Sequence, residues 1–272
     1  MNLNDPSIIF EAKTVQTSNI KTLFEVLKEV IVDLNLIVTK DKIKIISLNN
    51  TEIAVIHAKL SAENFEYFYC ERTADNPLVL GIHTNNIFKI IKTIKHDETV
   101  SFFVTKDNPG FLNIRKENSQ RNSINTFKLQ LHDISQPDYT IPDLEFDTII
   151  TMSSNELQKL VKDYSSLNAD FLEIKNVEDK VFFSGQGDFS SFEAILGNSE
   201  NTSFDQSSPK SKAKKGMVVQ GKFDIKYILL FSKASNLSSI VNLYLKNDYP
   251  LIMNYKIGTL GELRFIISGI DQ

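Results

Sequence analysis

The 272-residue sequence predicts an α+β fold made of two similar halves, each with helices on one face and antiparallel sheet on the other. Three observations carry this. One helical register recurs along the chain, a three-strand meander follows each predicted helix, and a proline-bearing stretch divides the sequence near its middle.

The register is clearest at residues 84–95, where Ile87, Ile90, Ile91 and Ile94 share one stripe at about 100° per residue and Lys89 and Lys92 lie opposite. Residues 154–164 repeat it, with Leu157, Leu160, Val161 and Tyr164 as the stripe and Lys159 and Lys162 opposite. A second pair of helices differs in where the lysines sit. Residues 18–32 bury Ile20, Leu23, Phe24, Leu27 and Ile31 and carry Lys21 and Lys28 on one shoulder. Residues 224–235 have Ile225, Ile228 and Leu229, with Lys226 and Lys233 on the same shoulder. Seven residues are two helical turns, so each shoulder pair stacks along one edge. One such lysine pair alone is the solvated face of an ordinary helix. Their order along the chain (shoulder, opposite, opposite, shoulder) points instead to internal duplication.

In chain order, residues 8–13 alternate as a strand and hand over to the first helix at Ser18, a candidate N-cap. Strands at 36–39, 43–48 and 53–60 form the first meander. Residues 65–71 and 78–82 lead into the second helix, followed by strands at 99–104, 110–115 and 123–131. Pro137 and Pro142 block both helix and central strand, so 132–143 reads as an extended connector. The halves are thus 1–131 and 144–272. The second restarts at 146–152, then the third helix, then strands at 171–175, 180–184 and 189–196. The polar tract 197–216, with Lys210, Lys212, Lys214 and Lys215, reads as a mobile loop that either stays soluble through its charge or serves as an import signal or auxiliary nucleic-acid contact. A strand at 217–223, the fourth helix, and strands at 239–246, 251–257 and 262–268 close the chain.

Composition excludes several classes. With 42% hydrophobic residues the chain can bury an ample core. The formal net charge of -4 means that any nucleic-acid role must rest on where lysines are placed. Cys70 is the sole cysteine, so no intramolecular disulfide forms and a reducing compartment is expected. No apolar run approaches the ~20 residues that span a bilayer, and residues 1–7 do not read as a signal peptide, so a soluble intracellular protein is expected. His57, His83, His96 and His132 show no metal-ligand spacing with one another or with Cys70. Gly185-Gln186-Gly187 is a turn and no phosphate-binding glycine motif occurs. Asp41, Asp107, Asp133, Asp138 and Asp143 fall in predicted turns, where aspartate is favoured by local hydrogen bonding. No catalysis, cofactor or metal is expected, although a single sequence leaves a divalent-metal nuclease with converging carboxylates open.

The chain resembles the sliding clamps of DNA replication, the proliferating cell nuclear antigen family. Residues 231–239 (FSKASNLSS) carry the resemblance, continued by Asp248-Tyr249-Pro250-Leu251 and residues 255–263 (YKIGTLGEL). Phe10-Glu11-Ala12, Leu27-Lys28, Cys70-Glu71-Arg72 and Ile141-Pro142 match in order, so it covers almost the whole chain. Asn49 departs from an expected Asp and Tyr69 from an expected Arg, and the basic 207–215 tract stands where relatives are often acidic.

The resemblance implies a head-to-tail homotrimeric ring around duplex DNA, helices inside and sheets outside, loaded by a clamp loader. Such a ring acts as a processivity factor in replication and repair, in the nucleus or another intracellular site of DNA replication. Lys21, Lys28, Lys89, Lys92, Lys159, Lys162, Lys226 and Lys233 would then face phosphates without reading sequence. DNA polymerase and other proteins would insert a short peptide beneath the connector. Leu48, Ile53, Tyr139, Ile141, Pro142, Pro250 and Ile266 match that apolar pocket, with Ser268 at its rim. Ile266 replaces a common aromatic and Glu52 a common His, and the family's modifiable lysine finds only Glu178 nearby. Strands 123–131 and 189–196, centred on Phe127 and Phe192, would pair between subunits. The alternatives are a monomeric processivity factor with an open basic face, or one subunit of a heterotrimeric checkpoint-type clamp.

Overall fold

The computed structural model describes residues 7–49, 53–135, 145–178, 180–197, 202–205 and 218–270. The chain forms two compact units, one of Met1–Ser47, His57–Tyr139 and Ile257–Glu262, the other of Leu48–Ile56, Thr140–Lys256 and Leu263–Gln272. The elements run β1 (Ile8–Thr14), α1 (Thr17–Val30), β2 (Asp33–Val38), β3 (Lys42–Leu48), β4 (Ala54–Ser61), β5 (Tyr67–Cys70), β6 (Leu78–His83) and α2 (Thr84–Ile91). Then come β7 (Thr99–Thr105), β8 (Asn108–Asn118), β9 (Ser123–Gln130), β10 (Thr148–Ser153), α3 (Ser154–Ser166), β11 (Phe171–Val177) and β12 (Lys180–Gln186). The chain closes with β13 (Ser191–Gly197), β14 (Thr202–Asp205), β15 (Val218–Asp224), α4 (Ile225–Ser232), β16 (Ile240–Leu245), β17 (Leu251–Ile257) and β18 (Gly261–Ile267).

Each helix is followed by its meander, but the units close by exchange. In the first unit β1, which precedes α1, pairs antiparallel with β7, the first strand after α2. Conversely β6, which precedes α2, pairs with β2, the first strand after α1. The second unit repeats the rule: β10 pairs with β16 and β15 with β11. One sheet of the first unit runs β5-β1-β7-β8-β9, matched in the second by the order β14-β10-β16-β17-β18, while β13-β12-β11-β15 of the second unit matches β4-β3-β2-β6 of the first. A helix-plus-meander segment therefore cannot complete its own sheet, and two of them must fold together.

The helices pack in pairs, α1 on α2 and α3 on α4. The start of each inner helix is tied to the chain that follows its partner. Thr84 N–H donates to Val32 O at 2.9 Å, with Thr84 Oγ1 donating to Ile31 O at 2.6 Å, and Ser154 N–H donates to Ser239 O at 2.9 Å. Asp224 caps α4 by accepting the Lys226 N–H at 2.8 Å, and Ser153 caps α3 through the Glu156 N–H.

Four sequence expectations change. Ser18 is not the cap of α1; Gln16 stands there without a side-chain capping bond, its Oε1 instead accepting from Asn19 Nδ2 at 3.1 Å and from Thr259 N–H at 3.2 Å. The regular part of α2 stops at Ile91, because Thr93 Oγ1 caps the Ile90 carbonyl and the chain tightens through 92–94. Phe189 lies outside β13 and is 74% exposed. Within the tract read as a loop, residues 202–205 form β14 on the edge of β10, in register from Ile149↔Asp205 to Met152↔Thr202. Its sequence has no apolar alternation, so only the open edge of β10 specifies it. The basic residues 207–215 and most of the connector lie outside the described residues.

Cys70 is buried, its Sγ accepting from Arg72 N–H at 3.4 Å, and burial pushes its thiol pKa up, which leaves it a poor nucleophile. Tyr255 on β17 is 0% exposed and packs edge-on against Phe265 with ring centroids 6.1 Å apart. Its hydroxyl has no hydrogen-bond partner among the described residues, and burial holds the phenol protonated far above its usual range. An unpaired buried hydroxyl costs about 1–3 kcal/mol. Tyr255→Phe is therefore expected to leave the thermal midpoint unchanged or to raise it. A fall of several degrees would mean that the hydroxyl is satisfied, for instance by a buried water.

Candidate nucleic-acid interface and partner pocket

The helix faces follow from what each stripe buries. Ile20, Leu23, Phe24 and Leu27 of α1 are at most 5% exposed, as are Ile87, Ile91 and Ile94 in and after α2. Leu157 and Val161 of α3 are at 0%, and Ile225, Ile228 and Phe231 of α4 at 4% or less. Residues 84–94 and 154–164 share the same burial class at every one of their positions. Both place a pair of exposed lysines, Lys89 and Lys92 or Lys159 and Lys162, in the same two slots.

The eight lysines are not equivalent. Lys89, Lys92, Lys159, Lys162, Lys226 and Lys233 are exposed, whereas Lys21 and Lys28 are half-buried. Lys28 pairs with Glu29 at 2.5 Å and lies over the Phe88 ring, 5.0 Å from its centroid, so part of its charge is spent inside the first unit. Lys226 sits 5.9 Å from the Tyr227 ring, and Lys233 falls in the 3-10 turn Lys233–Asn236 rather than in α4 itself. No acidic residue occurs on α2 or α4, but α3 carries Glu156 and Asp163, both exposed, one turn on either side of Lys159. The cationic face of α3 is correspondingly weaker. Lys116 lies outside the four helices in sequence, yet its Nζ donates to Thr93 O at 3.1 Å and lies 3.7 Å from Glu98, which ties it to the end of α2. Lys59, exposed on β4, is the independent lysine.

The expected pocket residues divide. Tyr139, Ile141 and Pro142 lie outside the described residues. Leu48, Ile53, Pro250, Ile266 and Ser268 all belong to the second unit. Leu48, Pro250 and Ile266 are half-buried, Ile53 is 37% exposed and Ser268 is exposed. Ser268 N–H donates to Ile53 O at 3.1 Å, which brings the end of β18 beside Ile53. Asn49 holds the turn between β3 and β4: its Oδ1 accepts the N–H groups of Ile53 at 2.9 Å and Ala54 at 3.0 Å, while its own N–H reaches Ala54 O at 2.9 Å. An amide oxygen thus does what a carboxylate would do, which explains how Asn stands where the family resemblance expects Asp. Tyr249, next to Pro250, was not singled out. It is 38% exposed beneath Lys246 Nζ, 4.2 Å from its ring centroid, and adds an aromatic margin to this surface.

The strands expected to join subunits lie at sheet ends: β9 closes one order and β13 the other. Phe127 is half-buried. Phe192 turns inward, its ring 3.9 Å from that of Tyr164 and so close over Gly185 that a Cβ there would come within 2.5 Å of it. The outward apolar groups on these two strands are instead Ile124, 67% exposed, and Ile195, 53% exposed. Glu178 sits in the turn after β11 with φ +53°, a left-handed position. Among the described residues no cluster of His, Cys, Asp and Glu could hold a metal, and no helix is long and apolar enough to cross a membrane.

Comparison with known proteins agrees with this architecture. The family profiles "Proliferating cell nuclear antigen, N-terminal domain" and "C-terminal domain" match residues 9–139 and 140–270. A probable DNA polymerase sliding clamp of Paramecium bursaria Chlorella virus 1 is 33% identical, over 98% of this chain and 99% of the relative. Proliferating cell nuclear antigen of Chaetomium thermophilum is 28% identical over 96% and 97% of the two chains. The crystal structure of the corresponding antigen from Entamoeba histolytica superposes with a TM-score of 0.84 at 26% identity, covering 96% of this chain and 99% of that one. With both domain profiles matched in order along nearly its whole length, the chain belongs to the proliferating cell nuclear antigen family of DNA sliding clamps.

Proposed function

We propose that the protein encircles duplex DNA as a homotrimer and tethers DNA polymerase and other proteins to it at a site of DNA replication, without a reaction of its own. The repeated burial pattern of residues 84–94 and 154–164 carries this reading. An apolar stripe that is buried leaves the opposite lysines nowhere but solvent, and the repeat does this twice with the same spacing. Flexible ammonium groups facing a polyanion attract phosphates without regard to base sequence. In a closed ring such contacts need only be weak, because topology retains the DNA and salt-screened contacts permit sliding.

Assembly is supported by β9 and β13, which end their sheets with exposed Ile124 and Ile195. An isolated sheet edge with outward apolar groups invites a partner strand. The surface of Leu48, Ile53, Pro250, Ile266 and Ser268, with Tyr249 beside it, is the proposed seat for the partner peptide; the family resemblance would add Tyr139, Ile141 and Pro142, which lie outside the described residues.

Four outcomes test the reading. Mass in solution without other chains should be about three times 30.9 kDa, whereas a monomer or a demand for two different partner chains would favour the alternatives. Ile195→Glu should weaken the trimer while leaving the subunit folded, since that side chain touches solvent. Lys89→Glu and Lys162→Glu should each impair retention and sliding on duplex DNA several-fold, with a deficit that shrinks as salt rises and ignores DNA sequence. Lys59→Glu should do far less. Equal impairment from Lys59 would reduce the helix lysines to ordinary surface. For the pocket, Ile53→Ala or Ile266→Ala should cost about 1–3 kcal/mol of peptide affinity by calorimetry and spare DNA retention.

A further inference from the structure

On the first unit the solvent-side face of β2, β3 and β6 carries side chains that the functions above do not use. Register places Ile37 opposite both Lys44 on β3 and Val79 on β6, and Asn35 opposite Gly81. Alternation then sets Asn35, Ile37 and Thr39 on one face with Lys42, Lys44 and Ile46. The other face, with Leu34, Val38, Ile45, Leu80 and Ile82 at 1% exposure or less, is core.

This face is a groove of about 650 Å³, walled at one end by Ala74, Asp75 and Pro77 and along one side by Ile134 and Ser135. The wall is pinned. His132 N–H donates to Gly81 O at 2.9 Å, Asn35 Nδ2 donates to Ile134 O at 2.9 Å, and a Cβ on Gly81 would stand 2.1 Å from His132 O. A groove held in this way needs little ordering to receive a ligand. Val79 is 52% exposed within it, and Lys42 and Lys44 are half-buried with no ion pair among the described residues. Asp75 is the one carboxylate in the lining.

We infer that this groove docks an extended, acidic segment of a partner protein, with apolar side chains on Val79 and Ile37 and carboxylates on Lys42 and Lys44. The inference rests on reading the chain as a tether for other proteins. Charge and spacing select the occupant. Two lysines at i and i+2 of a strand are about 6.6 Å apart, the repeat at which an extended peptide presents alternate side chains. Apolar residues beside the cations suit a peptide better than single-stranded nucleic acid, which would want aromatic platforms, and the lining has none.

The probe is a fluorescein-labelled ten-residue peptide, Ser-Glu-Ser-Glu-Ser-Val-Ser-Val-Ser-Glu, whose Glu and Val share one face when extended, followed by anisotropy against the full chain, beside a twin with Lys for every Glu and a labelled ten-nucleotide oligothymidylate. The Glu peptide should bind saturably, at least tenfold more tightly than the Lys peptide, and more weakly as salt rises. The double variant Lys42→Glu/Lys44→Glu should lose at least tenfold, and so should Val79→Glu, which serves if the double variant misfolds. Lys59→Glu should stay within twofold. Undiminished binding to the folded groove variants, equal binding of the Lys peptide, absence of saturable binding, or tighter binding of the oligonucleotide would each overturn the inference. The double variant's mass and DNA retention, measured in parallel, should match wild type, so failure of the groove and failure of the tethering reading give different results.

Discussion

The rotation of each helix about its own axis is set by the stripe it buries, and the rest of the functional surface depends on that. Ile87, Ile91 and Ile94 reach 5% exposure or less, as do Leu157 and Val161. Removing one such side chain typically costs about 2–5 kcal/mol, whereas turning a solvent-exposed lysine costs almost nothing. The core therefore decides where the ammonium groups point, and the positive face is a by-product of apolar packing. This is how a chain of net charge -4 can present cationic helices: acidic residues are absent from α2 and α4, and the excess of carboxylates lies elsewhere.

A second constraint is the exchange of strands within each unit. Because β1 completes the sheet begun after α2, and β6 the sheet begun after α1, neither helix can leave without exposing a sheet edge on its partner. The same reciprocity in β10 with β16 and β15 with β11 makes the second unit a copy in hydrogen-bond topology even where side chains differ. Non-local pairing of this kind is slow to form but cooperative once made. It leaves β9 and β13 at the ends of their sheets, which is where an assembly role is proposed.

The proposed partner surfaces differ in character from the helix faces. Around Pro250 and Ile266 the available groups are aliphatic or aromatic and half-buried to partly exposed, so they gain by excluding water; on the helices the groups are charged, exposed and screened by salt. Tight hydrophobic seating for proteins and loose electrostatic contact for DNA are compatible with a body that holds one partner while moving along the other. Asn49 shows how such a surface tolerates sequence change, since two backbone N–H groups need an oxygen acceptor and an amide provides it as well as a carboxylate.

The fold class, the four helices and nearly all the strands are legible in the residue order, because 3.6- and 2-residue periodicities are local and are strong at residues 84–95 and 154–164. It also placed the exposed lysines correctly at Lys89, Lys92, Lys159, Lys162, Lys226 and Lys233. What it could not specify were features made by groups distant in the chain. Gln16, the residue before α1, bonds to Thr259, β14 exists because β10 offers an open edge, and Lys116 belongs to the end of α2 through Thr93 and Glu98. The inward turn of Phe192 against Tyr164 and Gly185 and the outward position of Ile195 are likewise invisible to periodicity, which shows that two faces of a strand differ but not which one a neighbouring helix will cover. Each of these is settled by a contact whose partner lies far away in sequence, which no local pattern can register.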